Sequence, residues 1–231
     1  MDEITIRSGR PGDARGIARL DVETWRATYA GILAAPFLVG LSTQRRELGW
    51  ATVIEREPHD VRVAVNQDGH ILGFGSCGRC RGEPGFAGEV FTLYVAPDWQ
   101  NQGIGRRLLL ALFERLVDQG CGSAIIWVLR DNPGRFFYQR LGGREVQRKL
   151  FAVGGKKVEA SAYAWRDLPS FLATKASAER PPNRNEGLGR LCRQGRRLAG
   201  RRAALLPSSA LLERLGNFGR HVFLIMLGEH V

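Results

Sequence analysis

A mixed α/β domain, one sheet flanked by helices with a basic C-terminal extension, is the fold class this sequence predicts. Three observations carry the prediction. Apolar residues alternate with polar ones at Ile4 and Ile6 and again at Val61, Val63 and Val65, the period of a half-buried strand. A long stretch from about Gly105 to Gln119 repeats apolar residues at helical spacing, at Ile104, Leu108, Leu112 and Leu116. Strand and helix signals then follow one another as far as residue 168.

The elements are justified in order. Ile4 and Ile6 open the first strand, and Gly12-Asp13 offers a start for a helix carrying Ile17, Leu20 and Thr24. A second helix follows Ser42, with Leu48, Ala51 and Ile54 on one side. Val61–Val65 and Ile71–Ser76 pair across Asp68-Gly69, a strong hairpin signal, and Val90–Val95 joins them. Gly120 ends the long helix. Ala124–Leu129 is a strand, Phe136, Phe137 and Leu141 mark a short helix, and Arg144–Val153 with Lys157–Trp165 closes the sheet around Gly154-Gly155. The order is strand, two helices, three strands, helix, strand, helix, two strands.

Length and composition set the bounds. A chain of 231 residues, 44% hydrophobic and 25% charged, can bury a proper core. No apolar run is long enough to span a bilayer, and Met1-Asp2-Glu3 does not begin a secretory signal, so a cytoplasmic protein without a membrane partner is expected. Cys77-Gly-Arg-Cys80 has metal spacing but no second ligand pair, and with Cys121 and Cys192 is read as ordinary thiols, with no metal. Of the net charge of +11, +7 falls from Lys175 onward, where eleven Lys and Arg meet four Asp and Glu. Composition therefore divides the chain into a domain over 1–172 and a linker with an Arg-rich tail over 173–231. Arg190, Arg193, Arg196, Arg197, Arg201 and Arg202 have no aromatic residue among them, which argues against nucleic-acid binding and for a disordered or partly helical extension.

The segment Val95–Leu109 carries the chemistry. Gly103 and Gly105 lie between a strand and an amphipathic helix, where glycine admits positive φ and close approach, and where the helix start aims N–H groups at an anion. Arg106 and Arg107 add positive charge. A dinucleotide loop would need a third glycine where Leu108 stands, and a P-loop would need Gly-Lys-Ser/Thr.

Gln100-x-x-Gly103-x-Gly105, directly after Leu93-Tyr94-Val95, resembles the GNAT family of N-acetyltransferases. So does Asn132-Pro-Gly-Arg-Phe-Phe-Tyr138-Gln-Arg-Leu-Gly-Gly143. The likeness covers roughly residues 3–168. It implies a twisted, mostly antiparallel sheet and an acetyl-CoA site made by Leu93, Tyr94, Val95, Gln100, Asn101, Gln102, Gly103, Ile104, Gly105, Arg106, Arg107, Asn132 and Tyr138. It also implies that Tyr138 protonates the departing thiolate and that Trp25 and Tyr29 line an acceptor pocket. A backbone N–H near Leu93 would face the thioester carbonyl. Glu89, at the start of its strand, is the best-placed carboxylate to take the proton of the amine. Asn101 stands where the family has glycine, and Gly143 where it has an aromatic. The expected activity is acetyl transfer to a primary amine, small molecule or peptide, by direct attack. The alternative is a non-catalytic acyl-CoA-binding module. A homodimer is compatible with the resemblance, and the sequence does not name the amine.

Overall fold

The computed structural model describes residues 3–179. Strand β1 (Thr5–Ser8) leads into helix α1 (Ala14–Thr28), the short α2 (Ala35–Val39) and α3 (Thr43–Arg56). Then come β2 (Val61–Val65), β3 (Ile71–Arg79), β4 (Gly88–Val95), α4 (Ile104–Asp118), β5 (Ala124–Leu129), α5 (Arg135–Arg140), β6 (Arg144–Val153), β7 (Lys156–Trp165) and α6 (Leu168–Glu179). The seven strands form one sheet in the order β1-β2-β3-β4-β5-β7-β6, antiparallel throughout except for β4 with β5. The mixed α/β class and the mostly antiparallel sheet are as the sequence implied. Among the described residues no helix is long and apolar enough to cross a membrane.

Helices α1 and α3 cover one face, where Ile17, Leu20, Trp50 and Ile54 meet Val61, Val63 and Phe74. Helix α4 covers the other through Leu108, Leu112 and Leu116, one turn apart. Each sits where the sheet has no side chain: a Cβ on Gly73 would come 3.0 Å from Leu108, one on Gly75 2.6 Å from Leu112, and one on Gly88 3.0 Å from Leu116. Three glycines thus let α4 lie close on the sheet, which fixes where its N-terminus points.

Two expectations need correction. The helices α2 and α6 are additional to the elements read from the sequence; Arg26 ties the C-terminal end of α2 down by donating to the carbonyls of Leu38, Val39 and Leu41. The inward face of α3 includes Ile54 and, half-buried, Ala51, but not Leu48. Leu48 is 72% exposed, while Arg46, Trp50, Val53 and Ile54 are buried. The rotation follows from Asp21, buried on α1: Trp50 Nε1 donates to it at 3.1 Å and Arg46 lies 3.4 Å away, so α3 turns these two residues inward. Helix α6 continues past residue 172, where the composition changes, and Leu168, Phe171 and Leu172 pack into the core under α4. The six arginines from Arg190 to Arg202, and Cys192, lie outside the described residues.

Candidate active site

The site begins with a seam that closes only halfway. Strands β4 and β5 pair over Gly88–Val90 and Ala124–Ile126, yet β4 continues to Val95 and β5 to Leu129. The splay starts at a bulge: Ser76 faces Thr92 and Cys77 faces Val90, leaving Phe91 as an extra residue that bends β4. Ala96 donates its N–H to Leu72 of β3 at 2.8 Å. Alternation along the strand then turns the Tyr94 amide toward β3 and the Leu93 and Val95 amides toward the open seam.

The mouth of the seam is the glycine loop. Gly103 takes φ 80° as the N-cap of α4, and Asn101 takes φ 62°. Asn101 therefore stands at a left-handed position, which favours glycine and which asparagine tolerates better than most residues. That accounts for the departure noted in the sequence. The first bond of α4 runs from the Arg107 amide to the Gly103 carbonyl, and the amides of Asn101, Gln102, Gly103, Ile104 and Gly105 have no partner among the described residues. Gln100 holds the loop by donating to the Val95 carbonyl, and Gln102 by donating to that of Asp98. Five consecutive N–H groups at a helix N-terminus form an anion cradle. Arg106 stays at this end, but Arg107 does not add loose charge to the loop: its guanidinium donates to the Ile4 carbonyl at 2.7 Å and ties α4 to the start of β1.

Beyond the loop the seam leads to three tyrosines. Asn132 accepts from the Gly134 amide through Oδ1, which fixes its orientation, and donates to the Tyr29 hydroxyl at 3.4 Å. The Tyr94 hydroxyl also bonds to Tyr29. Tyr138 is buried on α5, stacked with Tyr163 at 6.1 Å and edge-on to Phe137 at 5.2 Å. Phe137 in turn reaches within 3.4 Å of where a Gly105 Cβ would be, joining α5 to the loop. Burial pushes the Tyr29, Tyr94 and Tyr138 phenols upward, each also sensing a neighbouring tyrosine. All three therefore remain protonated at neutral pH. Gly143, the second departure, is forced by packing: a Cβ there would lie 2.8 Å from the Trp165 ring, which fills the space.

The far end of the seam is a cleft with walls from α1, β4, β5 and the β6–β7 hairpin, including Trp25, Tyr29, Glu89, Phe91, Tyr94 and Trp127. Trp25 and Tyr29, one turn apart on α1, meet at 4.9 Å. Glu89 is buried in the cleft wall but already engaged: Arg81 donates Nη2 to Oε1 at 2.6 Å, and both Nε and its backbone N–H to Oε2 at 3.2 Å. A carboxylate has about four acceptor positions, so one on Oε1 remains. Below the cleft floor, burial pushes the Asp21 carboxyl up more than Arg46 and the Trp50 N–H bring it down. Sequence reasoning missed Phe91, Trp127 and Phe151, which come from three separate strands, and Arg81, from the connection between β3 and β4. It also missed Asp21, although an aspartate one position after Leu20 in the apolar pattern of α1 was a visible signal.

Comparisons with known proteins agree with this geometry. The model of the acetyltransferase (GNAT) family matches residues 22–143. The chain is 32% identical over 169 residues to YuaI of Bacillus subtilis, an uncharacterized N-acetyltransferase, covering 73% of this chain and 96% of that one. It is 33% identical over 113 residues to the N-alpha-acetyltransferase RimI of Mycobacterium tuberculosis, covering 47% of this chain and 66% of the relative. Among solved structures, yncA of Salmonella typhimurium, determined with its cofactor acetyl-CoA, superposes with a TM-score of 0.55 at 21% identity over 72% of this chain and 94% of that one.

Proposed function

The chain belongs to the acetyltransferase (GNAT) family, and on that premise we propose that it moves an acetyl group from acetyl-CoA to a primary amine that attacks the thioester directly. The observation that carries this reading is the run of five amides, Asn101 to Gly105, without partners among the described residues, at the mouth of a seam that ends among protonated tyrosines. Relatives support the acceptor class: one acts on L-methionine sulfoximine and methionine sulfone, and another is an N-alpha-acetyltransferase.

Acetyl-CoA, when bound, supplies an activated acyl thioester. The loop amides hold its pyrophosphate with Arg106 beside them. Asn132 contacts the pantetheine arm while its bond to Tyr29 keeps it oriented. The Leu93 amide donates to the thioester oxygen, where charge develops during attack. Tyr138 gives its proton to the departing sulfur; its raised pKa keeps that proton in place until a thiolate forms. The ammonium must lose a proton before attack. Glu89 accepts it through water at its remaining Oε1 position, weakly, because Arg81 already neutralises the carboxylate. Trp25 and Tyr29 line the acceptor cleft.

An amine panel with free CoA thiol as the readout tests the proposal. Turnover of at least one primary amine, with acetyl-CoA raising the melting temperature, is the expected result. Stabilisation by acetyl-CoA with no thiol released from any amine would replace it with an acyl-CoA-binding module.

A further inference from the structure

The acceptor end of the cleft has a composition and a closure that the loop end lacks. Six aromatic residues, Trp25, Tyr29, Phe91, Tyr94, Trp127 and Phe151, line it, and the other uncharged lining residues are aliphatic. The charged residues that line it are Arg81 and Glu89, and they face each other. Among the described residues, an acceptor with a carboxylate meets no lining cation outside that pair, and an acceptor with several ammonium groups meets no lining carboxylate outside it. Aromatic faces suit one ammonium on an apolar body.

The cleft is also roofed on one side, where Val153 of its wall runs into the β6–β7 turn. The β6–β7 turn lies on the segment that follows α1. A Cβ on Gly154 would come within 2.4 Å of the Phe37 ring, so glycine and ring are in direct van der Waals contact. Lys156 Nζ donates to the Ile32 carbonyl at 3.0 Å, and Val153, next to the turn, is buried in the cleft wall. Phe37 reaches Trp25 edge-on at 6.2 Å, which carries the contact from the roof to the wall. An extended chain leaving the amine along this direction would have to displace the turn.

We infer that the acceptor is a small monoamine on an aromatic or similarly apolar body, and that the Gly154–Phe37 contact excludes peptides. This rests on the acyltransferase reading above and narrows its substrate class.

Three acceptors sharing one ring, 2-phenylethylamine, L-phenylalanine and a hexapeptide with N-terminal phenylalanine, make the test together with spermidine, a ring-free polyamine. Expected is a kcat/KM for 2-phenylethylamine about tenfold or more above each of the others, the scale on which an unmatched polar group is rejected. Equal or better turnover of the peptide, the amino acid or the polyamine overturns the inference. Binding of the same four to CoA-loaded protein, by calorimetry, is measured alongside. If nothing is acetylated, the acyltransferase reading fails, and the binding order alone then upholds or overturns the acceptor class. Phe37→Ala should unseat the turn and raise the relative kcat/KM of the hexapeptide about tenfold, leaving 2-phenylethylamine within about threefold. Continued exclusion of the peptide by a folded variant refutes the roof. Lys156→Ala, which removes an exposed contact only, carries the same test if Phe37→Ala does not fold.

Discussion

The two ends of the seam are built from different material. The loop end is backbone: five amides, two left-handed residues and a helix start, all within Asn101–Gly105. The aromatic end is side chain, gathered from α1, β4, β5 and the β6–β7 hairpin. Under the proposed function the backbone site would recognise a feature common to every acyl-CoA, whereas a side-chain wall can change its occupant by single substitutions while the loop stays as it is. The difference teaches which end sets the reaction and which sets the acceptor, and it can be broken at three points.

The largest effect is expected at the loop. In Gly103→Glu, the new Cβ would meet nothing within 4 Å, so the domain should fold, but φ 80° is unfavourable for glutamate and its charge repels phosphate. Ligand at a hundredfold excess over Kd stabilises by about 2.7 kcal/mol, so the melting-temperature shift with acetyl-CoA should be plain in the parent and absent in the variant. Trp127→Ala, at the other end, should keep the shift. Loss in both would mean the two ends are not separable.

Tyr138→Phe lies between the ends. The ring and its stack on Tyr163 are kept and only the hydroxyl is lost, so kcat should fall about 10²–10⁴-fold with the acetyl-CoA shift intact. Because burial raises this phenol above its ordinary value of 10, it stays protonated as pH rises. The pH profile of kcat/KM in the parent should therefore show no descending limb from Tyr138 at or below pH 10. Full kcat in the variant would make Tyr138 a packing residue.

Glu89→Gln should have the smallest effect, a fall in kcat/KM of about tenfold or less, since Arg81 already occupies most of the carboxylate. A base and a wall residue differ in the pH profile: removal of a base alters the ascending limb, whereas loss of an Arg81 partner lowers activity evenly at all pH.

The loop end was legible in the sequence because it is local. Gly103, Gly105 and the leucines of α4 are neighbours along the chain, and the strand–loop–helix order needs only short-range φ preferences and helical periodicity to be read. Ala124–Leu129 and Arg144–Val153 were likewise set by composition and turn residues, and the structure has strands with those bounds. The facing of α3 was not legible, because the residues it buries answer to Asp21 on another helix. Nor was the engagement of Arg107 with the Ile4 carbonyl, a bond across 103 positions. Sequence alone determined the order of the seven strands, the glycine loop and the family resemblance, since each depends on residues within a turn or two of one another. Tertiary structure decided where β4 and β5 part, that Arg81 takes up Glu89, and that Phe37 seats the β6–β7 turn over an aromatic cleft. Those contacts form between elements whose meeting is fixed by the packing of the whole sheet.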